Sequence, residues 1–404
     1  MHRVVISGMG IVSPLGDTAA DVSAALRAGR SAIGPITNIA TDGLIVRIGA
    51  EVRGFDPGRH FADKQLALLD RSAQLALVAA RSAAGDSGLA FRALGARAGV
   101  IIGSGVGGMA TLDESYHRIY AEGSRRTHPF TIPKLMISAA MSHITIDQGV
   151  IGPSFTVATA CASANHAMGI AFSMLRSGVL DAVITGGTES VFTFGTIRGW
   201  EALRVMAADT CRPFSRGRGG MVLGEGAAMF VLETLEHAER RGAAILGEVI
   251  GFGMSSDAAD IVLPSAAGAE NALRACLADA GLAPEEVSYI NAHGTGTAAN
   301  DATETRAIRA VFGAHADRLP VSSTKSMHGH ALGAAGAIEL AATLIAMRDG
   351  FIPPTMNYLE PDPDCDLDCV ANAARPGRID VALSNSFAFG GHNAVLAVRR
   401  WPAG

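Results

Sequence analysis

The side chains able to act as nucleophile, acid or base lie in widely separated segments of this 404-residue chain, and one of them is a lone cysteine at a change of pattern. In Val157-Ala158-Thr159-Ala160-Cys161-Ala162-Ser163-Ala164-Asn165-His166, a β-branched extended run breaks into small residues and then into a helical pattern. A strand-to-helix junction presents a side chain to unpaired backbone N–H groups and the positive end of the helix dipole. That setting favours a thiolate, with a thiol pKa lowered from about 8.5 to roughly 3.5–7.5. The competing reading is a small buried core residue, the ordinary fate of a free cysteine in an apolar segment. Partners elsewhere in the chain decide between the two.

Those partners stand at predicted strand ends, where α/β proteins build their sites. Residues 288–292 read as a strand that runs into His293-Gly294-Thr295-Gly296-Thr297, with Asp301 and Glu304 close enough to orient the loop or tune the imidazole. Residues 321–336 bring Lys325, His328 and His330 into a small-residue helix. Ser384-Asn385-Ser386-Phe387-Ala388-Phe389-Gly390-Gly391 ends a strand in a glycine turn suited to aiming backbone N–H groups at a site. A histidine in a glycine loop also serves a purely structural role, and Cys161 with His293, His328 and His330 is a formal zinc-ligand set without the compact spacing of structural zinc sites. A cysteine, two strand-end histidines and a lysine in separate α/β units fit nucleophilic acyl transfer better. Gly103-Ser104-Gly105-Val106-Gly107-Gly108 matches the dinucleotide-binding fingerprint in form, but the acidic residue that should close a second strand is missing. Glycines that let a loop approach a substrate channel explain the run equally well.

The elements that must position these residues alternate throughout, short apolar strands with alanine-rich helical stretches, which predicts an α/β fold. Residues 4–7 read as a strand entering a glycine turn, 21–27 as a short helix and 63–84 as a long one. Strands at 99–102, 182–185 and 228–233 follow, and 234–241 reads as a bridging helix. Residues 247–253 then repeat the opening of the chain and 270–281 repeat a helix, so two similar α/β halves are expected, dividing as 1–245 and 246–404. Residues 331–347 are the most apolar stretch, but Glu339 interrupts them, which fits a buried core helix.

Composition narrows the function. Mean hydropathy is high, at +0.27, yet no run of about 18 uncharged apolar residues occurs, so no membrane span is expected. A net charge of −5 lacks the basic excess of a nucleic-acid binder. Five scattered cysteines (Cys161, Cys211, Cys276, Cys365, Cys369) give neither a disulfide framework nor a Cys-x-x-Cys pair. With no signal-peptide pattern at the N-terminus, they point to the cytoplasm.

Taken in order, Val4-Val5-Ile6-Ser7-Gly8-Met9-Gly10, Thr159-Ala160-Cys161, Asn291-Ala292-His293-Gly294-Thr295-Gly296-Thr297, Lys325-Ser326 with Gly329-His330, and Asn385-Ser386-Phe387 with Phe389-Gly390-Gly391 resemble the β-ketoacyl-acyl carrier protein synthases of the elongating KAS I/II type. The likeness covers nearly the whole chain. It implies a thiolase-like fold, two duplicated α/β halves in α-β-α-β-α layers, and a Cys-His-His site built from Cys161, His293 and His330. The first half would carry the nucleophile and the second the two histidines. The resemblance also implies that Lys325, near Glu339, sets the charge around His330. Cys161 and Phe389 would supply oxyanion-hole N–H groups, with Phe389 as the gate, and Val106 and Trp200 would line an acyl tunnel. It implies no cofactor and no metal. The expected partners are acyl and malonyl acyl carrier protein, docked through Lys64, Arg125, Arg126 and Arg204, and a second subunit, identical or related. The reaction would be decarboxylative condensation, for fatty-acid elongation or for a dedicated pathway such as polyketide, aryl-polyene or signalling-lipid assembly. A non-condensing partner that only shapes a chain-length tunnel is the other reading, against which the retained Cys161, His293 and His330 stand. Departures from the family pattern fall at Ser215 and Gly219, where carboxylates are usual beside the retained Arg218, at His328 for threonine, and at Ala388 for glycine.

Overall fold

Strands dominated by β-branched and small residues assemble a single ten-stranded mixed sheet in the computed structural model, which describes residues 1–401. In chain order the strands are β1 (Val4–Val12), β2 (Ala98–Gly103), β3 (Ser154–Val157), β4 (Ala182–Glu189), β5 (Gly226–Thr234), β6 (Gly247–Ser256), β7 (Tyr289–Asn291), β8 (Val321–Ser322), β9 (Val381–Ala388) and β10 (His392–Arg399). Across the sheet they run β8-β7-β9-β10-β6-β1-β5-β4-β2-β3. The antiparallel pair β1 and β6 forms the centre. Outward from that pair, each side passes through its own first, fifth, fourth, second and third strand. The directions repeat as well: two antiparallel pairings, then two parallel ones.

Helices cover both outer faces and fill the space between the halves. Helix α1 (Arg71–Ser87) packs on β1, β5 and β4, and α3 (Ala266–Ala280) packs on β6, β10 and the neighbouring α4 (Ala298–Phe312). Helices α2 (Ser163–Arg176) and α5 (Ala335–Asp349) touch strands of both halves and each other. They form the central layer of an α-β-α-β-α stack. Every residue of α5 from Ala335 to Met347 is buried, and a helix without a polar face belongs inside a core. Glu339 in its middle is tolerated because it pairs with Lys325. One apolar cluster draws Ile6, Phe230, Val249, Tyr289 and Ile338 from both halves.

Two local expectations need correction. The first strand continues through its glycines to Val12, because α1 passes so close that a side chain at Gly8 or Gly10 would strike the carbonyls of Ala83 or Ala79. The helix expected over 63–84 is two helices, Asp63–Leu66 and α1. Asp70 separates them, accepting the N–H of Ser72 (3.0 Å) as an N-cap and, through its second oxygen, that of Thr111 (2.9 Å).

Candidate active site

Cys161 sits in a tight turn, Ala160–Ala162, between β3 and α2. Ala160 takes the left-handed φ of +48°, a conformation that costs a non-glycine residue energy and must be held by its surroundings. Ser163 does this, donating to the Ala160 carbonyl (2.6 Å) and accepting the Thr159 N–H (2.9 Å). The sulfur is buried, and burial pushes the thiol up to about 12 against the pull of the Lys325 charge. Burial therefore opposes the thiolate that the position at the helix terminus favours.

His293 lies just past the end of β7 on a backbone clamped from α4. Glu304 accepts the N–H groups of both His293 and Gly294 at 2.8 Å and is itself steadied by the Asn385 amide at 3.0 Å. Lys325 donates to the His293 carbonyl at 2.7 Å, lies 3.3 Å from the ring Nδ1 and pairs with Glu339. An ammonium only donates, so Nδ1 accepts and the imidazole proton resides on Nε2. Burial, reinforced by the Lys325 charge and His330, holds His293 well below the usual histidine range.

His330 is placed by its backbone, donating to Val222 (2.7 Å) and accepting from Gly224 (2.9 Å). Its ring stands edge-on to His293, with centroids 5.4 Å apart. Burial and the Lys325 charge keep this ring neutral too. Neither ring nitrogen has a partner although both are buried. Buried polar groups are nearly always satisfied, and both nitrogens are free to bond a molecule in the cavity that His330 lines.

A cavity of about 130 Å³ brings Cys161, His293, His330, Trp200 and Phe389 together, with Trp200 and Phe389 stacked at 5.8 Å. Lys325, Glu304, Asp301 and Glu339 stand behind it, all buried. Burial raises Glu339 to about 7 and Asp301 to about 6, the first opposed by Lys325 and the second by donors that include the Phe214 N–H. Asp301 organises the loop, accepting from Phe214 (2.8 Å) and Gly296 (3.2 Å), and touches neither imidazole. Val106 does not line the cavity; its N–H faces Glu189 instead. Lys64, Arg125, Arg126 and Arg204 are all exposed. Among the described residues no three His, Cys, Asp or Glu side chains converge as a metal-ligand set.

Some of the wall escaped sequence reading. Val262, Leu263 and Pro264 reach the cavity from the loop between β6 and α3, where no periodic pattern marks them. Thr295 and Thr297 also line it, and their place beside His293 was the available signal. The departures are accommodated locally. Arg218 pairs with Asp362 and lies 3.6 Å from Asp301, so carboxylates from other segments serve it. Ser215 Oγ accepts the N–H of Leu359 at 2.9 Å. His328 bonds Thr324 Oγ1 (3.0 Å) and the Gly329 carbonyl (2.8 Å). Burial, with the Lys325 charge, lowers it to about 3. Nothing in the structure explains Gly219.

Comparison with known proteins gives a consistent result. Residues 1–238 match the model of the beta-ketoacyl synthase N-terminal domain and residues 246–359 that of its C-terminal domain. The chain is 50% identical to nodulation protein E of Rhizobium sp. (strain N33) over 99% of both chains. It is 46% identical to 3-oxoacyl-[acyl-carrier-protein] synthase 2 of Coxiella burnetii (strain RSA 493 / Nine Mile phase I), again over 99% of both. A solved type II PKS acyl-carrier protein in complex with its ketosynthase bound to the hexaketide superimposes with a TM-score of 0.89 at 31% identity, covering 99% of this chain and 100% of that one.

Proposed function

We propose roles for these residues from one premise: the chain belongs to the β-ketoacyl synthase family. It is an acyltransferase of the 3-oxoacyl-[acyl-carrier-protein] synthase type, condensing malonyl carrier protein with an acyl group and releasing carbon dioxide. The observation that carries the assignment of roles is the convergence of Cys161, His293 and the unpartnered His330 on one buried cavity.

In the first half-reaction the Cys161 sulfur attacks the acyl thioester. Its proton passes to the departing carrier thiolate, in keeping with a thiol that burial pushes up. The N–H groups of Cys161 and Phe389 stabilise the tetrahedral oxyanion; losing one such donor typically costs about 10²–10³ in rate. Malonyl thioester then occupies the cavity, and the Nε2–H of His293, fixed by Lys325, donates to its carbonyl together with His330. Carbon dioxide leaves, the enolate carbon attacks the acyl-Cys161 carbonyl, and the sulfur departs as a thiolate that regains its proton from water. Neutral imidazoles suit this step, since they donate without adding a charge that the site would have to solvate. Lys325 and Glu339 position the pair and do not bond to substrate.

The site reaches its carrier proteins through the exposed Lys64, Arg125, Arg126 and Arg204, whose charge suits an acidic partner. The two halves divide near residue 245, a division supported by the repeated strand order. The chain pairs with a second copy. Supporting this, β3 ends the sheet with one edge open, Phe155 lies exposed on it, and Tyr120, Phe130, Ile132 and Ile151 lie exposed in the segment leading to it. Free cysteines suit a cytoplasmic location. Service in a dedicated lipid or polyketide pathway is supported by the likeness to nodulation protein E and to the type II PKS ketosynthase.

The decisive experiment is Cys161→Gln. It should block acylation and retain malonyl decarboxylation, both measured by mass analysis and carbon dioxide release. A folded variant without decarboxylation counts against the histidines. Acyl transfer that survives Cys161→Ala counts against the nucleophile.

A further inference from the structure

Buried at the end of β4, Glu189 belongs to no part of this mechanism, yet four donors converge on its carboxylate. Oε2 accepts the N–H groups of Gly105 (2.6 Å) and Gly333 (3.0 Å), and Oε1 accepts the Ser104 hydroxyl (3.1 Å) and the Val106 N–H (3.4 Å). The donors come from both halves. Ser104 to Val106 follow β2, whereas Gly333 lies in the turn Leu332–Ala334 that opens α5, three residues after His330. Both glycines are required where they stand, because a Cβ on Gly105 or Gly333 would come within 2.7 Å or 2.6 Å of the same carboxylate oxygen. The loop also reaches the nucleophile turn, since the Cβ position of Gly105 is 3.8 Å from the Ala160 carbonyl. Leu332 shares an apolar cluster with Cys161.

The repeat in the sheet explains the position. Strands β4 and β9 are equivalent, each of eight residues, and end at Glu189 and Ala388. The Cys161 turn rests on β9, and the Gly333 turn rests on β4. Glu189 therefore stands beside Gly333 as Ala388 stands beside Cys161. The Glu189 carboxyl fills the space that the other copy leaves open to substrate; burial raises it to about 7 against the four donors.

We propose that Glu189 is a positioning residue for the acyl-chain side of the site, its carboxylate fixing the Ser104–Val106 loop and the Leu332–Gly333 turn against Cys161. The proposal rests on the assignment of Cys161 as the acyl acceptor. A fixed loop presents one wall to the incoming chain, so loss of the carboxylate relaxes discrimination between acyl lengths and slows acylation. Malonyl decarboxylation, which depends on His293 and His330, is spared.

The test compares wild type, Glu189→Ala and Glu189→Gln. Trapped acyl-Cys161 is followed by mass analysis with acyl carrier proteins bearing short and long chains, and decarboxylation is followed separately in a Cys161→Gln background. The expected result is at least about a tenfold loss of acylation in Glu189→Ala, a flattened length preference and near-normal decarboxylation. Acetate, which can occupy the vacated site, should restore acylation at millimolar concentration. Glu189→Gln keeps the volume with only one acceptor oxygen and should fall between the two. Folded variants with unchanged acylation and length preference overturn the proposal. So does a parallel loss of acylation and decarboxylation without acetate rescue, or loss of folding in both variants, each of which makes Glu189 a scaffold residue only. Wild type that never acylates Cys161 refutes the underlying assignment instead.

Discussion

The turns Ala160–Ala162 and Leu332–Ala334 are the same piece of architecture used twice. Each opens a central helix, and each begins with a non-glycine residue forced to a positive φ, +48° at Ala160 and +43° at Leu332. Both end in alanine, Ala162 and Ala334, but their chemistry differs at the middle position and on the strand beside it. Cys161 in the first copy corresponds to Gly333 in the second, and the strand beside each turn ends in Ala388 or Glu189 respectively. By sheet register the residue equivalent to His293 is Gly103. The second half also contains a short helix, Lys325–His328, between its third strand and its turn, and the first half has no counterpart. That segment supplies Lys325 and delivers His330. Duplication thus gave a scaffold with two strained turns. One copy keeps a sulfur in an open cavity, and the other turns its equivalent space into a closed, hydrogen-bonded anchor.

The sharpest way to break this comparison is Cys161→Ala. Condensation should fall by about 10⁴-fold or more in a carrier-protein assay, while Gly333, walled in by backbone and Glu189, supplies no substitute. Next in size are His293→Ala and His330→Ala, which should cost malonyl decarboxylation about 10²–10³-fold while acyl-Cys161 still forms. Loss of acylation in those variants would erase the division of labour between the halves.

A smaller effect tests the inserted helix. The folded pKa of His328 is lowered to about 3, so below roughly 6.5 the unfolded chain binds a proton that the folded chain refuses. Stability from this residue is therefore lost as pH falls from about 6.5 toward 3, at about 1.4 kcal/mol per pH unit. Compared with wild type, His328→Thr should gain relative stability on acidification over that window, read as a pH-dependent difference in denaturation midpoint. A constant difference would refute the buried neutral imidazole. Smallest is the triple reversal of Arg125, Arg126 and Arg204 to glutamate, all in the first half. It should weaken carrier-protein affinity about tenfold at low salt and much less at high salt.

Motif order placed Cys161, His293, His330 and Lys325 in one site, because each motif ends a strand and strand ends in a duplicated sheet meet. Residues defined by shape were harder to read. Gly8 and Gly10 look like a turn until the proximity of α1 is known, and the break at Asp70 depends on Thr111, far along the chain. The burial of Cys161 was not legible, because the helix N-terminus is a local feature whereas Ile36, Val191, Phe192, Met221 and Leu332, which cover the sulfur, are scattered along the chain. Glu189 offered no signal beyond a carboxylate after two glycines; its donors are distant in sequence.

The central layer has a consequence for how the molecule can be divided. Helix α2 belongs to the first half and α5 to the second, but each is buried against strands of the other, and β1 and β6 share hydrogen bonds. Neither half has a complete hydrophobic interior by itself. A chain cut near residue 245 should yield two insoluble fragments when expressed alone and regain structure only when both are present, so the repeat is one cooperative folding unit rather than a pair of autonomous ones.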